Sequence, residues 1–260
     1  MSACLAIFLE RKDKRINLII AKKIRYLPIK THTPMKKLIL SLTFLSIFGI
    51  SCQQDDPPTP VAIVKYMSLS AGSTWNYELV NNLAVTTSTY VLSSTTRDST
   101  INGKSYHVFT NSSGSANEYH NITGNDYYNF RNLPGALGGS SVENIYLKDN
   151  AAVGATWSQT YPVTVSGVAL NAIITNTITE KGISKTVKGT VYNDVIHVTT
   201  AITVTIGAIP LPASALTTNI HFYYAPKFGL IQSSNVINLN YAGIIDNTNQ
   251  QTSLVSANIK

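Results

Sequence analysis

From Pro60 to Lys260, apolar and polar residues alternate with a period of two over long stretches. Ile202, Val204 and Ile206 are interleaved with Thr203 and Thr205. Ile237, Leu239 and Tyr241 are interleaved with Asn238 and Asn240. A period of two with β-branched and aromatic residues predicts strands buried on one face. Thr and Asn fill the polar positions, and Lys and Glu, the usual surface residues of helices, are scarce. Turn signals punctuate the runs at Asn102-Gly103, Gly124-Asn125-Asp126, Gly138-Gly139, Lys181-Gly182 and Gly207. No segment between 61 and 260 has the pattern of an amphipathic helix. Parallel strands need long, usually helical crossovers, so the expected class is all-β, with antiparallel sheets forming a sandwich or a half-barrel.

The strand pattern also repeats. Gly72-Ser73-Thr74-Trp75 is matched by Gly154-Ala155-Thr156-Trp157, and these phrases hold both tryptophans of the chain. Gly103-Lys104-Ser105-Tyr106 is matched by Gly189-Thr190-Val191-Tyr192, and Tyr127-Tyr128 by Tyr223-Tyr224. The order is the same and the separation grows slowly. This predicts a duplicated β unit, residues 66–135 and 146–235, with loop insertions in the second copy. Trp75 and Trp157 are then expected as equivalent core residues rather than as a stacking platform for a ligand, since Trp is highly buried on average.

The segment before the β domain reads differently. Met35-Lys36-Lys37 opens a basic stretch, and Leu38 to Ile50 is uncharged. That run is short for a transmembrane helix, which needs about 20 apolar residues, and has the length of a secretory signal core. It ends at Ile50-Ser51-Cys52, which resembles the end of a lipobox, although Gly49 stands where that family prefers Leu. The resemblance implies cleavage before Cys52 and acyl chains, palmitate among them, on that cysteine. Gln53, Gln54, Asp55 and Asp56 follow, and resemble the acidic tether of Bacteroidetes-type lipoproteins sorted to the outer surface of the outer membrane. Asp55-Asp56-Pro57-Pro58-Thr59-Pro60 is incompatible with helix and reads as an extended spacer. The expected organisation is 1–34 as an extended or superfluous n-region, 35–51 as the signal, 52–62 as tether and 63–260 as the β domain. A complete signal beginning at Met35 makes that residue the expected translation start.

Charge supports this division. The formal net charge is +7, but half of the 20 lysines and arginines precede Cys52, with only Glu10 and Asp13 as acids there. Beyond Cys52 acids exceed bases by one. A domain with so little basic excess has no electrostatic footprint for nucleic acid. Cys4 and Cys52 are the only cysteines, so no disulfide framework is expected. Packing must hold the domain, and about 200 residues suffice for that.

Motifs for chemistry are missing. His107, His120, His197 and His221 are well separated and no cysteine joins them, whereas metal sites usually include a short local ligand pair. No G-x-S-x-G elbow occurs. Glu118, Asp126, Glu143, Asp149, Glu180 and Asp194 show no pairing readable along the chain. Gly138-Gly139-Ser140-Ser141 lacks the Lys of a phosphate loop. The expectation is no enzyme, no cofactor and no metal. One cluster has the composition of a recognition edge: Tyr119, His120, Asn125, Asp126, Tyr127, Tyr128 and Phe130. Aromatic rings interleaved with hydrogen-bonding groups around a turn suit a glycan or peptide, and a hairpin with aromatic cross-strand pairs is the plain alternative. Only one of Tyr127 and Tyr128 is expected to face the core.

The phrases G-x-T-W-x-Y, G-x-x-Y and Tyr223-Tyr224-Ala225-Pro226-Lys227-Phe228-Gly229-Leu230-Ile231 resemble uncharacterised β-rich lipoproteins of the same bacterial group, over roughly 66–235. That resemblance implies an architecture and no chemistry. The chain is therefore expected to be a membrane-anchored, cell-surface binding or interaction module for a glycan or protein ligand. The alternative is a periplasm-facing structural or lipid-handling lipoprotein with an apolar concavity.

Overall fold

A computed structural model describes residues 64–165 and 167–260. Cys52 and the tether residues Gln53, Gln54, Asp55 and Asp56 lie outside the described residues. The strands are β1 (Thr74–Asn81), β2 (Thr86–Ile101), β3 (Lys104–Asn111), β4 (Glu118–Thr123), β5 (Asp126–Asn132), β6 (Ser141–Lys148), β7 (Thr156–Val165), β8 (Val168–Val187), β9 (Thr190–Ile206), β10 (Ile209–Pro210), β11 (Leu216–Ala225), β12 (Gly229–Tyr241) and β13 (Ile244–Asn258). A single 3-10 turn, Gly135–Leu137, interrupts them among the described residues. Every described pairing is antiparallel, as the lack of helical crossovers requires.

The order across the sheet is β6-β5-β4-β3-β2-β1-β13-β12-β11-β9-β8-β7, with β10 beside β9. Strands of up to 20 residues accumulate twist and coil the sheet until its ends meet. The result is one sheet nearly closed into a barrel. Its ends, β6 and β7, are consecutive in the chain and meet through side chains. Gln159 Oε1 accepts from the Ile145 amide at 2.6 Å, and Trp157 Nε1 donates to the Ile145 carbonyl at 2.7 Å. Tyr161 Oη and Gln159 Nε2 both donate to the Glu143 carbonyl. Side chains at 157, 159 and 161 thus stand in for the missing ladder.

Inward-facing residues form layers. At one end lie Trp75, Tyr77, Phe109, Tyr127, Ile178, Val198 and Leu254, all buried. At the other end Leu133, Leu137, Ala172, Ile174 and Val204 form a second apolar cluster, with Ile202, Ile220 and Ile237 beside it. Between them the inward positions turn polar. Asn176 sits between Ile174 and Ile178, Thr200 between Val198 and Ile202, and Ser233 and Asn235 between Ile231 and Ile237. Asn129 and Arg131 sit between Tyr127 and Leu133. The aromatic end is plugged by Met67, which bridges to Phe228. Gly229 permits this close approach, because a Cβ there would lie 2.5 Å from the Met67 sulfur.

The matched phrases behave unequally. Trp75 and Trp157 are each the second residue of their strand, β1 and β7. Gly103 and Gly189 close equivalent hairpins, with φ of 51° and 79° at Asn102-Gly103 and 49° and 82° at Lys188-Gly189. Two successive positive φ values are the type I′ signature that suits strand twist. The tyrosine doublets are not equivalent: Tyr127-Tyr128 opens β5, whereas Tyr223-Tyr224 closes β11. The tryptophans differ too. Trp75 is fully buried, but Trp157 is only half-buried, because it serves the seam.

Candidate functional site: an aromatic outer face and a polar barrel interior

The pleat splits the predicted cluster between two faces. Tyr119, Tyr128 and Phe130 point outward from β4 and β5, beside Tyr106 of β3 and Glu143 of β6. Phe130 meets Tyr106 edge-on at 5.2 Å and Tyr119 at 6.1 Å between centroids. The Lys104 ammonium lies 3.5 Å from the Tyr128 ring centre and 2.6 Å from Glu143 Oε1. The Tyr106 hydroxyl donates to the same carboxylate oxygen. Burial alone would raise the Glu143 carboxyl, but the hydrogen bonds from Lys104 and Tyr106 outweigh it and hold it below the ordinary range. The polar groups of this face are thus already paired with one another.

Tyr127 is the inward member and cannot serve as a recognition anchor. It is fully buried; its hydroxyl donates to Asp149 Oδ2 at 2.6 Å and accepts from the Tyr66 amide at 3.0 Å. Burial, with the Asp149 carboxylate beside it, pushes the phenol well above its usual range. Asn125 and Asp126 are also engaged: the Asn125 carbonyl accepts from the Asp149 amide at 3.0 Å, and Asp126 pairs with Lys148 at 2.9 Å. Tyr127→Phe should therefore cost about 1–3 kcal/mol by removing the partner of a half-buried amide and a half-buried carboxylate. Tyr128→Ala should cost under about 1 kcal/mol, the scale of an exposed cation–π contact. Urea denaturation of the two variants checks the contrast, and equal costs would contradict it.

The interior of the barrel holds the residues that sequence reasoning missed. Register places His120, Asn129 and Asn144 side by side across β4, β5 and β6. Asn176 and Thr200 pair across β8 and β9, with Thr200 Oγ1 donating to Asn176 Oδ1 at 2.6 Å. Other groups of this belt are left over: Oδ1 of Asn129, Asn144 and Asn235 and Nδ1 of His120 are buried without a hydrogen-bond partner. Arg131 stands two residues beyond Asn129 on the same face. Its guanidinium carbon lies 5.5 Å from the Phe222 ring centre, and among the described residues it has neither ion pair nor hydrogen bond. Burial disfavours its charge, offset only in part by the oxygens of Tyr224 and Tyr161. It nevertheless keeps some accessible surface, as a side chain facing internal space does.

Two cavities accompany the belt. One, of about 110 Å³, is bounded by Glu118, His120, Asn129, Tyr146, Phe222 and Tyr224 among others. Burial would raise the Glu118 carboxyl, but hydrogen bonds from His120 and Asn111 outweigh it and lower it. The second, of about 240 Å³, lies at the far end and is apolar, with Leu170, Val204, Leu211, Leu239 and Tyr241 in its wall.

A further cluster lies on the outer face of β9 and β11. His197 Nδ1 is 2.8 Å from Glu180 Oε2, His197 Nε2 is 2.9 Å from His221 Nδ1, and His221 Nε2 is 2.6 Å from Asn219 Oδ1. Burial, then the neighbouring His197 and Lys185, lower the His221 imidazole. His107 and His120 are likewise direct cross-strand partners. Distance along the chain hid both pairs, because register alone brings these residues together. Among the described residues no group of three or more potential ligands could hold a metal ion.

Two solved structures resemble this barrel. One is a candidate lipoprotein of Parabacteroides distasonis ATCC 8503, with 11% identity, a TM-score of 0.45, and coverage of 75% of this chain and 99% of that one. The other is a candidate exported protein with a YmcC-like fold from Bacteroides fragilis NCTC 9343, with 7% identity, a TM-score of 0.44 and the same coverage. No family model matches the chain, and no curated protein matches it in sequence.

Proposed function

We propose that this chain is a lipid-anchored binding module of the outer membrane, displayed at the cell surface, that receives a small ligand inside its barrel. The observation that carries this reading is Arg131: a cation turned into the barrel, with no counter-charge among the described residues and with the unpartnered Asn129 oxygen on the same face of β5. An enclosed, unpaired charge is costly, and a ligand that pairs with it recovers that cost on binding. The aromatic outer face favours a glycan or protein partner less, because Lys104, Glu143 and Tyr106 already satisfy one another. The apolar cavity at the far end supports the second reading, lipid handling from the periplasmic side.

The anchor rests on the lipobox-like Ile50-Ser51-Cys52. One acyl chain binds a membrane only marginally, whereas several anchor it stably. Cys52→Ala should therefore shift the protein from the membrane fraction to the soluble fraction or leave it unprocessed. Protease added to intact cells should digest the wild type if it is surface-displayed. Membrane retention with normal cleavage in Cys52→Ala would sink the anchor, and full protection in intact cells would favour the periplasmic reading. Native mass spectrometry of the purified protein tests the barrel: a retained small-molecule mass is expected, and its loss on filling the lumen by Asn144→Trp.

A further inference from the structure

We infer that the barrel ligand is a monocarboxylate with an aliphatic tail, its head on Arg131 and its tail directed to the apolar end. This rests on the reading of the barrel as ligand-receiving and names the ligand's class. A guanidinium does not lose its proton in a protein, so the charge at Arg131 persists and needs an anion. Its planar fork matches a carboxylate or a phosphate through two parallel hydrogen bonds. The surroundings select between them. Among the described residues of the belt Arg131 is the only Arg or Lys, and His120 is already engaged with Glu118 at 3.4 Å. Glu118 lines the adjoining cavity with its carboxyl pKa held low and disfavours a doubly charged head. A single guanidinium, with no second Arg or Lys in the belt among the described residues, suits a monoanion.

The tail follows from what lies next to Arg131. Its register partner across the strand is Val142, its aromatic contact is Phe222, and Leu133, just past the end of β5, is the next buried apolar residue along the chain. Leu133, Leu137, Ile174, Val204 and Tyr161 belong to one apolar cluster. Leu137 and Val204 from that cluster also line the 240 Å³ cavity. These shared residues give a tail leaving Arg131 an apolar wall in the direction of that cavity. Beside the head, the Asn129 amide has no partner on Oδ1 and can turn its N–H groups to a second carboxylate oxygen, since amide orientation follows the hydrogen-bond network.

The experiment is calorimetric titration of the full mature protein in detergent with decanoate, 1-decanol and inorganic phosphate. Decanoate should bind about tenfold or more tightly than decanol, the scale of a charge-assisted hydrogen bond, and phosphate should not bind. Arg131→Met should reduce decanoate to the affinity of decanol, and Arg131→Lys should restore part of the difference. Equal affinity for decanoate and decanol in the wild type overturns the carboxylate assignment, as does a preference that survives Arg131→Met. Phosphate binding in place of decanoate overturns the tail. In each of those cases binding that Asn144→Trp abolishes leaves the barrel reading standing. Absence of any binding together with absence of a retained mass removes both.

Discussion

Trp75→Ala is expected to destabilise the domain by about 3–5 kcal/mol, the range for removing a large aromatic from a core. Trp75 has no exposed surface. It lies between Leu92 on β2 and Ala257 on β13 in register and packs on Phe109 at 5.6 Å. It thus sits where the first half of the chain joins the last strand, and a void there weakens the β1–β13 junction as well as the layer. Domains of this size are stable by about 5–15 kcal/mol, so much of the margin would disappear. Trp75→Phe should cost clearly less. The indole Nε1 is buried without a partner, so Phe removes volume but no hydrogen bond. Urea denaturation midpoints of both variants check this. A Trp75→Ala cost below about 1 kcal/mol would show that the aromatic layer is not what holds the barrel.

The second large effect is expected at the seam. Gln159→Ala should leave the Ile145 amide without its acceptor and remove a donor to the Glu143 carbonyl. The Glu143 carbonyl keeps the Tyr161 hydroxyl, so the stranded group is the part-buried Ile145 amide, at a cost of up to about 1–3 kcal/mol. An opened β6 would also present an unpaired strand edge, the usual template for association. The expected results are faster hydrogen exchange at the Ile145 amide and concentration-dependent self-association. Gln159→Glu separates the two bonds, because a carboxylate still accepts from Ile145 but cannot donate to Glu143. Protection at Ile145 should therefore persist in Gln159→Glu and be lost in Gln159→Ala. Unchanged exchange in both would mean that the seam does not depend on Gln159.

Much of the site was not legible along the chain, for reasons that particular residues illustrate. Tyr127 and Tyr128 differ in fate only through the pleat, and which of them faces inward depends on the register with Ile122 and Leu147. His197 and His221 are remote in sequence and adjacent in space because β9 and β11 pair. Arg131 looks like an ordinary surface cation in an aromatic- and Asn-rich strand. Only closure of the sheet turns its face into an interior.

Alternation of apolar and polar residues, and the glycine-bearing turns, determined by themselves that this chain makes antiparallel strands, because side-chain period and turn φ are local properties. The repeated Trp and Gly phrases marked the first strand and the second hairpin of each half. Which sheet those strands build was a tertiary decision. Twist accumulated over long strands closed one barrel instead of two facing sheets, and the side chains of Trp157, Gln159 and Tyr161 completed it. The polar belt around Arg131 was decided at the same level, since a residue's burial depends on where the far strands return.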